Sequence, residues 1–159
     1  MARWPIPDQQ LRDMYAGGRG NNAAKRFSRL WGRAFGWGLF PKRWVRLEVP
    51  GRVSGRTMSC PLGMADVDGR WYLVSMLGEC NWVANVRAAQ GRAVLRRRTA
   101  RPVLLLEVPV DQRAPILRRY VDKVPGGRPH IPLAPGTPVA EFAAIADQHP
   151  VFEVVDDRR

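Results

Sequence analysis

The chain has 159 residues, 45% hydrophobic and 25% charged, which fits one domain that buries a core without covalent staples. Its 26 Lys and Arg against 14 Asp and Glu leave a net charge of +12, a balance that attracts nucleic acid, acidic lipid or a phosphorylated ligand. Two cysteines without a CxxC or Cys/His spacing exclude a disulfide framework and a zinc site, and no run of ~18 apolar residues offers a membrane-spanning helix.

Residues 8–16 read as a short helix opened by Asp8, and 17–22 as a glycine-rich break. Phe27, Leu30, Trp31, Ala34, Phe35 and Gly38 then recur at helical spacing, with Lys25, Arg26, Arg29 and Arg33 mostly off that stripe. This segment, 23–40, reads either as a helix packed on the rest of the domain or as a basic amphipathic helix on an anionic bilayer. From Trp44 the period changes to two. Strands are predicted at 44–49, 57–66 and 70–76, with Asp68-Gly69 as a hairpin turn. Asn81 reads as an N-cap, 82–90 as a helix closed by Gly91, and 92–98 and 101–109 as strands. Val103–Leu106 is apolar enough for burial on both faces. Helices at 111–124 and 137–147, the second opened by Thr137-Pro138, precede a last strand at 151–155. This order argues an α+β fold whose antiparallel sheet closes into a barrel, with residues 1–43 as a helical extension and 44–159 as the barrel domain.

The catalytic inventory is poor. No G-x-S-x-G, Walker A or GxGxxG sequence occurs, and no carboxylate pair stands out. His130 and His149 lie beside prolines and read as surface or capping residues. Cys60 and Cys80 read as inert thiols. An enzyme of this composition leaves the hard step to a cofactor. Two segments could hold one. The turn Pro50–Arg56 carries glycines at 51 and 55, the Ser54 hydroxyl, and the forked cations Arg52 and Arg56. Gly78–Asn85 leads into a helix N-terminus, where Trp82 and Asn85 share a face and offer an aromatic plane and an amide. That pair reads equally as a core tryptophan beside a surface amide.

Gly51-Arg52-Val53-Ser54-Gly55-Arg56, Cys60-Pro61-Leu62, the hairpin from Asp68 to Ser75, and Asn81–Ala88 together resemble the deazaflavin-dependent nitroreductase family. The likeness runs from about residue 45 to 98, continues loosely to the last strand, and is slight over 1–43. It implies a split β-barrel of the flavin-reductase type. The implied cofactor is the deazaflavin coenzyme F-420, a flavin analogue with a phosphate and an oligoglutamate tail, with FMN less favoured. The implied reaction is hydride transfer from the reduced coenzyme to a quinone, nitroaromatic or activated alkene. Matched residue by residue, Gly51, Arg52, Val53, Ser54 and Arg56 fall on the coenzyme-binding turn. Met58, Cys60, Pro61 and Leu62 fall on the next strand, and Val74, Ser75, Met76 and Leu77 on a strand end. Trp82, Val83 and Asn85 fall on the flanking helix. The family pattern has basic residues where this chain has Val53 and Met58; Arg56 or Arg96–Arg98 are the candidates to replace that charge. The family's strand-end serine is also displaced, because Met76-Leu77 follows Ser75.

The expected partner is a small-molecule electron acceptor, with peripheral membrane contact through 23–40 as an open question and no nucleic acid. The expected location is the cytoplasm. Two alternatives remain: a split barrel that binds FMN or deazaflavin without turnover, and a basic nucleic-acid module, for which the arginine run and six tryptophans are suited but no motif is present.

Overall fold

A computed structural model of the chain describes residue 9 and residues 22–37, 42–125 and 127–158. The expected helix over 8–16 lies outside these residues, Gln9 excepted. Helix α1 (Asn22–Gly36) precedes strands β1 (Trp44–Pro50), β2 (Thr57–Val67) and β3 (Arg70–Val74). Helix α2 (Asn81–Ala88) follows, then β4 (Arg92–Arg97), β5 (Thr99–Glu107), α3 (Ala114–Lys123), α4 (Val139–Ala143) and β6 (Val151–Asp156). The strands close a barrel in the order β1-β2-β3-β6-β5-β4, with every neighbouring pair antiparallel.

The barrel forms because β1 alternates strictly. Val45, Leu47 and Val49 are buried inside, while Trp44, Arg46 and Glu48 face outward. Leu73, Leu95, Val103, Leu105 and Phe152 complete the interior, and Val83 and Val86 of α2 plug it. A second core lies outside the wall. There Leu117, Tyr120, Val121 and Val124 of α3 and Phe142 of α4 cover Ala65, Tyr72 and Val74. Asp66 fastens α3 to this wall, accepting from Arg119 at 3.0 Å and from Arg43 at 2.8 Å. The Arg119 guanidinium, with Arg43 behind it, holds its carboxyl down to about 2.

The expected elements differ from the observed ones where backbone donors run out. β3 stops at Val74 and not at 76, because Ser75 N–H still bonds the Pro150 carbonyl at 2.9 Å but Pro150 has no N–H to return. The stretch 111–124 divides into a 3-10 turn, Val110–Gln112, and α3, with Pro115 in the first turn of α3 as expected. The stretch 137–147 likewise divides into α4 and a 3-10 turn, Ala146–Gln148, with Pro138 rather than Thr137 at the N-cap. Leu106 is exposed, so β5 is not buried on both faces.

Helix α1 approaches the barrel closely through two of its small residues. A Cβ on Gly32 would sit 3.6 Å from Arg46 Cδ and 3.8 Å from Pro61 Cδ, and one on Gly36 would sit 3.6 Å from Arg46 and Arg96. Arg98 N–H caps the Gly36 carbonyl at 2.7 Å. Leu30 and Trp37 are left 67% and 68% exposed. Packing on the barrel is therefore real, and Gly32 and Gly36 form a ridge on the face that packs.

Gly91 is the most constrained joint of the barrel. Its φ is +81°, and a Cβ there would lie 2.4 Å from the Leu105 carbonyl oxygen. Gly91→Ala should destabilise the fold by about 2–3 kcal/mol, seen as a lower urea midpoint at unchanged slope; an unchanged midpoint would refute the constraint.

Candidate functional site

The two segments singled out in the sequence meet at one end of the barrel. The β1–β2 turn is closed by Gly51 N–H to the Arg56 carbonyl at 2.8 Å and Gly55 N–H to the Gly51 carbonyl at 2.9 Å. Gly55 takes φ +70°, and the Ser54 hydroxyl oxygen accepts from Arg56 N–H at 3.2 Å. Across the gap, Asn85 of α2 is 5% exposed. Its Oδ1 accepts from Arg52 N–H at 3.1 Å and from the Arg52 guanidinium at 2.8 Å. The same guanidinium reaches Asn81 Oδ1 at 3.4 Å. Asn81 occupies the first turn of α2, and Cys80 stands at the N-cap without a side-chain cap bond. Asn81 is thus drawn toward the turn, which corrects its expected capping role, and Asn85 is a buried clasp, not a surface amide.

This clasp has an electrostatic consequence. Arg52 is positioned by two neutral amides, so its charge is not cancelled. Among the described residues neither Arg52 nor Arg56 enters an ion pair. Both remain available to an anion. Val53, at the tip, is 92% exposed, and Met58 is exposed beside it.

The remaining expected site residues divide by depth. Cys60 and Leu62 are half-buried against the barrel interior, whereas Pro61 faces outward under Gly32 of α1. Trp82 is half-buried, its ring 5.7 Å from that of Phe152 and tilted by 56°. Val74 and Val83 are core residues. They back the wall and do not reach its surface, which corrects their placement among lining residues. Ser75 is buried as well. Its hydroxyl donates to the Gly78 carbonyl at 2.5 Å and lies 3.3 Å from Cys80 Sγ, building a tight turn that presents Met76 and Leu77. Those two line a cavity of about 450 Å³ with Gly78, His130, Pro132, Gln148 and His149.

His149 is the residue that the sequence reading missed. It is 6% exposed, with Nδ1 2.9 Å from the Ser75 carbonyl. A carbonyl only accepts, so Nδ1 carries the proton and Nε2 is left as an acceptor. Burial holds the imidazole below its usual value of 6.5. The buried Arg113 fixes the segment behind it through the Val108, Ala146 and His149 carbonyls. The only sequence signal was the following proline, which pins the backbone.

No side chain here is an evident nucleophile. Burial, and then the neighbouring Cys80, push the Cys60 thiol up to about 12. Among the described residues no cluster of three or more His, Cys, Asp or Glu could hold a metal ion. The donor set — tethered cations, hydroxyls and an apolar wall — fits a polyanionic coenzyme with a flat ring.

The model of a sequence family described as F420H(2)-dependent quinone reductase matches residues 23–128, two thirds of the chain. The chain belongs to this family. It is an oxidoreductase of the F-420-dependent quinone reductase type, and its cofactor is the deazaflavin coenzyme. The match takes in α1, so the family likeness starts earlier than residue 45. No curated protein matches the chain significantly. Among solved structures, a protein of unknown function from Agrobacterium tumefaciens is similar at TM-score 0.54 and 12% identity, over 79% of this chain and 53% of that one. A putative 5-nitroimidazole antibiotic resistance protein from Bacteroides thetaiotaomicron is similar at TM-score 0.51 and 8% identity, over 79% and 80%. An F420-H2 dependent reductase is similar at TM-score 0.48 and 21% identity, over 71% and 94%. The first two likenesses support the barrel architecture alone.

The Cys60 environment makes a direct expectation for this quinone reductase. In native protein at pH 8, iodoacetamide should leave Cys60 unmodified, with alkylation detected by mass spectrometry only after denaturation; rapid native modification would contradict the raised thiol.

Proposed function

We propose that the coenzyme lies against a wall made by the turn Gly51–Arg56, the exposed start of β2, the Ser75–Gly78 turn and the first half of α2. The observation that carries this is the Arg52–Asn85 clasp, which fixes a full positive charge at the mouth through a neutral partner. The bound reduced deazaflavin supplies a hydride. The protein's own residues bind, orient and exclude water. Arg52 and Arg56 hold anionic oxygens, Trp82 and Leu62 give apolar surface, and Val74 and Val83 keep that surface rigid from behind. The cavity at Met76 and Leu77 is the proposed acceptor site. Its volume is within the usual range for small-molecule sites, roughly 300–1,000 Å³. A quinone is the acceptor that the family favours, and the lining offers it apolar surface from Met76, Leu77 and Pro132 beside the polar groups of His130, Gln148 and His149.

Asn85→Asp tests the wall, because it keeps the acceptor oxygen but cancels the Arg52 charge. Coenzyme Kd, read by fluorescence titration, should rise about tenfold or more, as for loss of a hydrogen bond to a charged group worth roughly 1.5–3 kcal/mol. An unchanged Kd in a folded variant would remove Arg52 from the site.

We also propose that α1 touches anionic membrane surfaces. Leu30 and Trp37 are exposed on the helix side away from the glycine ridge, and Lys25, Arg26, Arg29 and Arg33 accompany them without a carboxylate on the helix. Leu30→Ala with Trp37→Ala should reduce co-sedimentation with vesicles containing anionic lipid; equal pelleting of wild type and variant would exclude this contact. Among the described residues no helix is long and apolar enough to cross a membrane.

A further inference from the structure

The seam between α1 and the barrel carries an unneutralised charge track. Lys25, Arg29 and Arg33 stand at i, i+4 and i+8, so they form one ridge spanning about 12 Å. Like charges at that spacing destabilise a bare helix. No acidic residue lies anywhere on α1, and among the described residues none of the three enters an ion pair. Arg29 donates to the Lys25 carbonyl at 3.5 Å. Such a ridge attracts an anion.

Beside it is a cleft of about 220 Å³ lined by Ser28, Arg29, Gly32, Arg33, Arg46 and Ser59. Arg46 is tied to Glu48, so Arg29 and Arg33 supply the free charge and the two serines supply hydroxyl donors. Glycine at 32 keeps the helix close enough to the wall to form the cleft.

The direction of the helix connects this cleft to the turn. Gly36 sits against Arg46 and Arg96, Gly32 against Arg46 and Pro61, and Ser28 shares the cleft with Ser59. Moving toward the N-terminus of α1 therefore moves along β2 from Pro61 to Ser59, toward Thr57 and Arg56. The helix therefore points from the cleft in the direction of the turn. Arg96 donates to Glu48 at 2.8 Å and shares that one carboxylate with Arg46, so the trio keeps a single positive charge on the barrel side of the seam.

We propose that this cleft binds the anionic tail of the coenzyme, with Arg29 and Arg33 of α1 pairing its carboxylates or phosphate and Ser28 and Ser59 hydrogen-bonding them. The assignment rests on the coenzyme wall proposed above, since the tail reaches the cleft only from a head group seated at the turn. Phosphate- and carboxylate-bearing anions share this chemistry with lipid headgroups, so the test separates the two sources.

Dissociation constants are measured by fluorescence titration for coenzyme F-420 with its oligoglutamate tail and for the tail-less deazaflavin riboside. The proteins are wild type, the double variant Arg29→Gln/Arg33→Gln, and Arg92→Gln as an exposed control on β4. Wild type should prefer the tailed form. The double variant should lose about tenfold in affinity for the tailed form, keep its affinity for the riboside, and show a weaker dependence on salt. The control should match wild type. Equal weakening of both ligands, or an unchanged preference for the tailed form, overturns the proposal. Lost binding to anionic vesicles with an intact tail preference overturns it too, and reassigns the ridge to headgroups. If Asn85→Asp leaves both ligands unaffected, the wall fails and the tail site falls with it; if Asn85→Asp weakens both ligands while the double variant weakens neither, the wall stands and the tail site alone is overturned.

Discussion

Fourteen carboxylates have to serve 26 cations in this chain, and the fold depends on where those carboxylates are placed. Several bridge the frame. Glu48 bonds Arg46 within β1 and Arg96 across the β1–β4 seam that closes the barrel. Arg96 foremost holds its carboxyl below the usual range. Asp66 joins β2 to Arg119 of α3, and Glu107 of β5 takes Arg87 of α2 at 2.6 Å. Each pair is partly exposed and worth at most about 1 kcal/mol alone. Their combined effect is registration: they fix which helix lies on which strand. Among the cations without an ion pair in the described residues are Arg52 and Arg56 of the β1–β2 turn and Lys25, Arg29 and Arg33 of α1.

Pairing by neutral amides is the second half of that arrangement. Had Arg52 been positioned by a carboxylate, the turn would be equally rigid and electrostatically silent. Asn85 supplies the acceptor oxygen without a charge, and its burial makes the geometry strict. One residue therefore links the interior packing of α2 to the field at the mouth. The apolar neighbours Val83 and Val86 seat the helix, and the amide passes that seating on to the turn.

Much of the barrel was legible in the sequence because its signals are local. Alternation in Val45, Leu47 and Val49 and the Asp68-Gly69 turn, with φ of +51° and +77°, need no long-range knowledge. The two segments of the proposed coenzyme wall, Gly51–Arg56 and Trp82–Asn85, were also singled out in the sequence. Their joining was not, because Arg52 and Asn85 are 33 positions apart and nothing in either segment names the other. Depth was equally hidden: Val74 and Val83 look like Leu62 in a string of letters, yet only Leu62 keeps part of its surface open. His149 was misjudged because a proline neighbour suggests a surface turn, whereas the chain buries that turn under Arg113. Helix α1 packs on the barrel, one of the two readings its sequence left open, and its close approach at Gly32 and Gly36 carried no periodic signal of its own.

That docking gives α1 a consequence for the coenzyme. In the family pattern the lost charges at Val53 and Met58 would sit on the barrel itself, rigid whether or not ligand is present. On the tail site proposed above, the equivalent charge is carried by a separate helix that docks through Gly32 and Gly36 and a backbone bond from Arg98. A ligand that spans turn and helix stabilises the docked helix by the same factor by which docking improves its affinity. The unpaired Lys25–Arg29–Arg33 ridge then makes physical sense: its self-repulsion weakens α1 in the free protein and is relieved when an anion lies along it. Coenzyme binding and the seating of α1 are thereby one equilibrium, and the exposed Leu30 and Trp37 on the far side of the helix are carried by it.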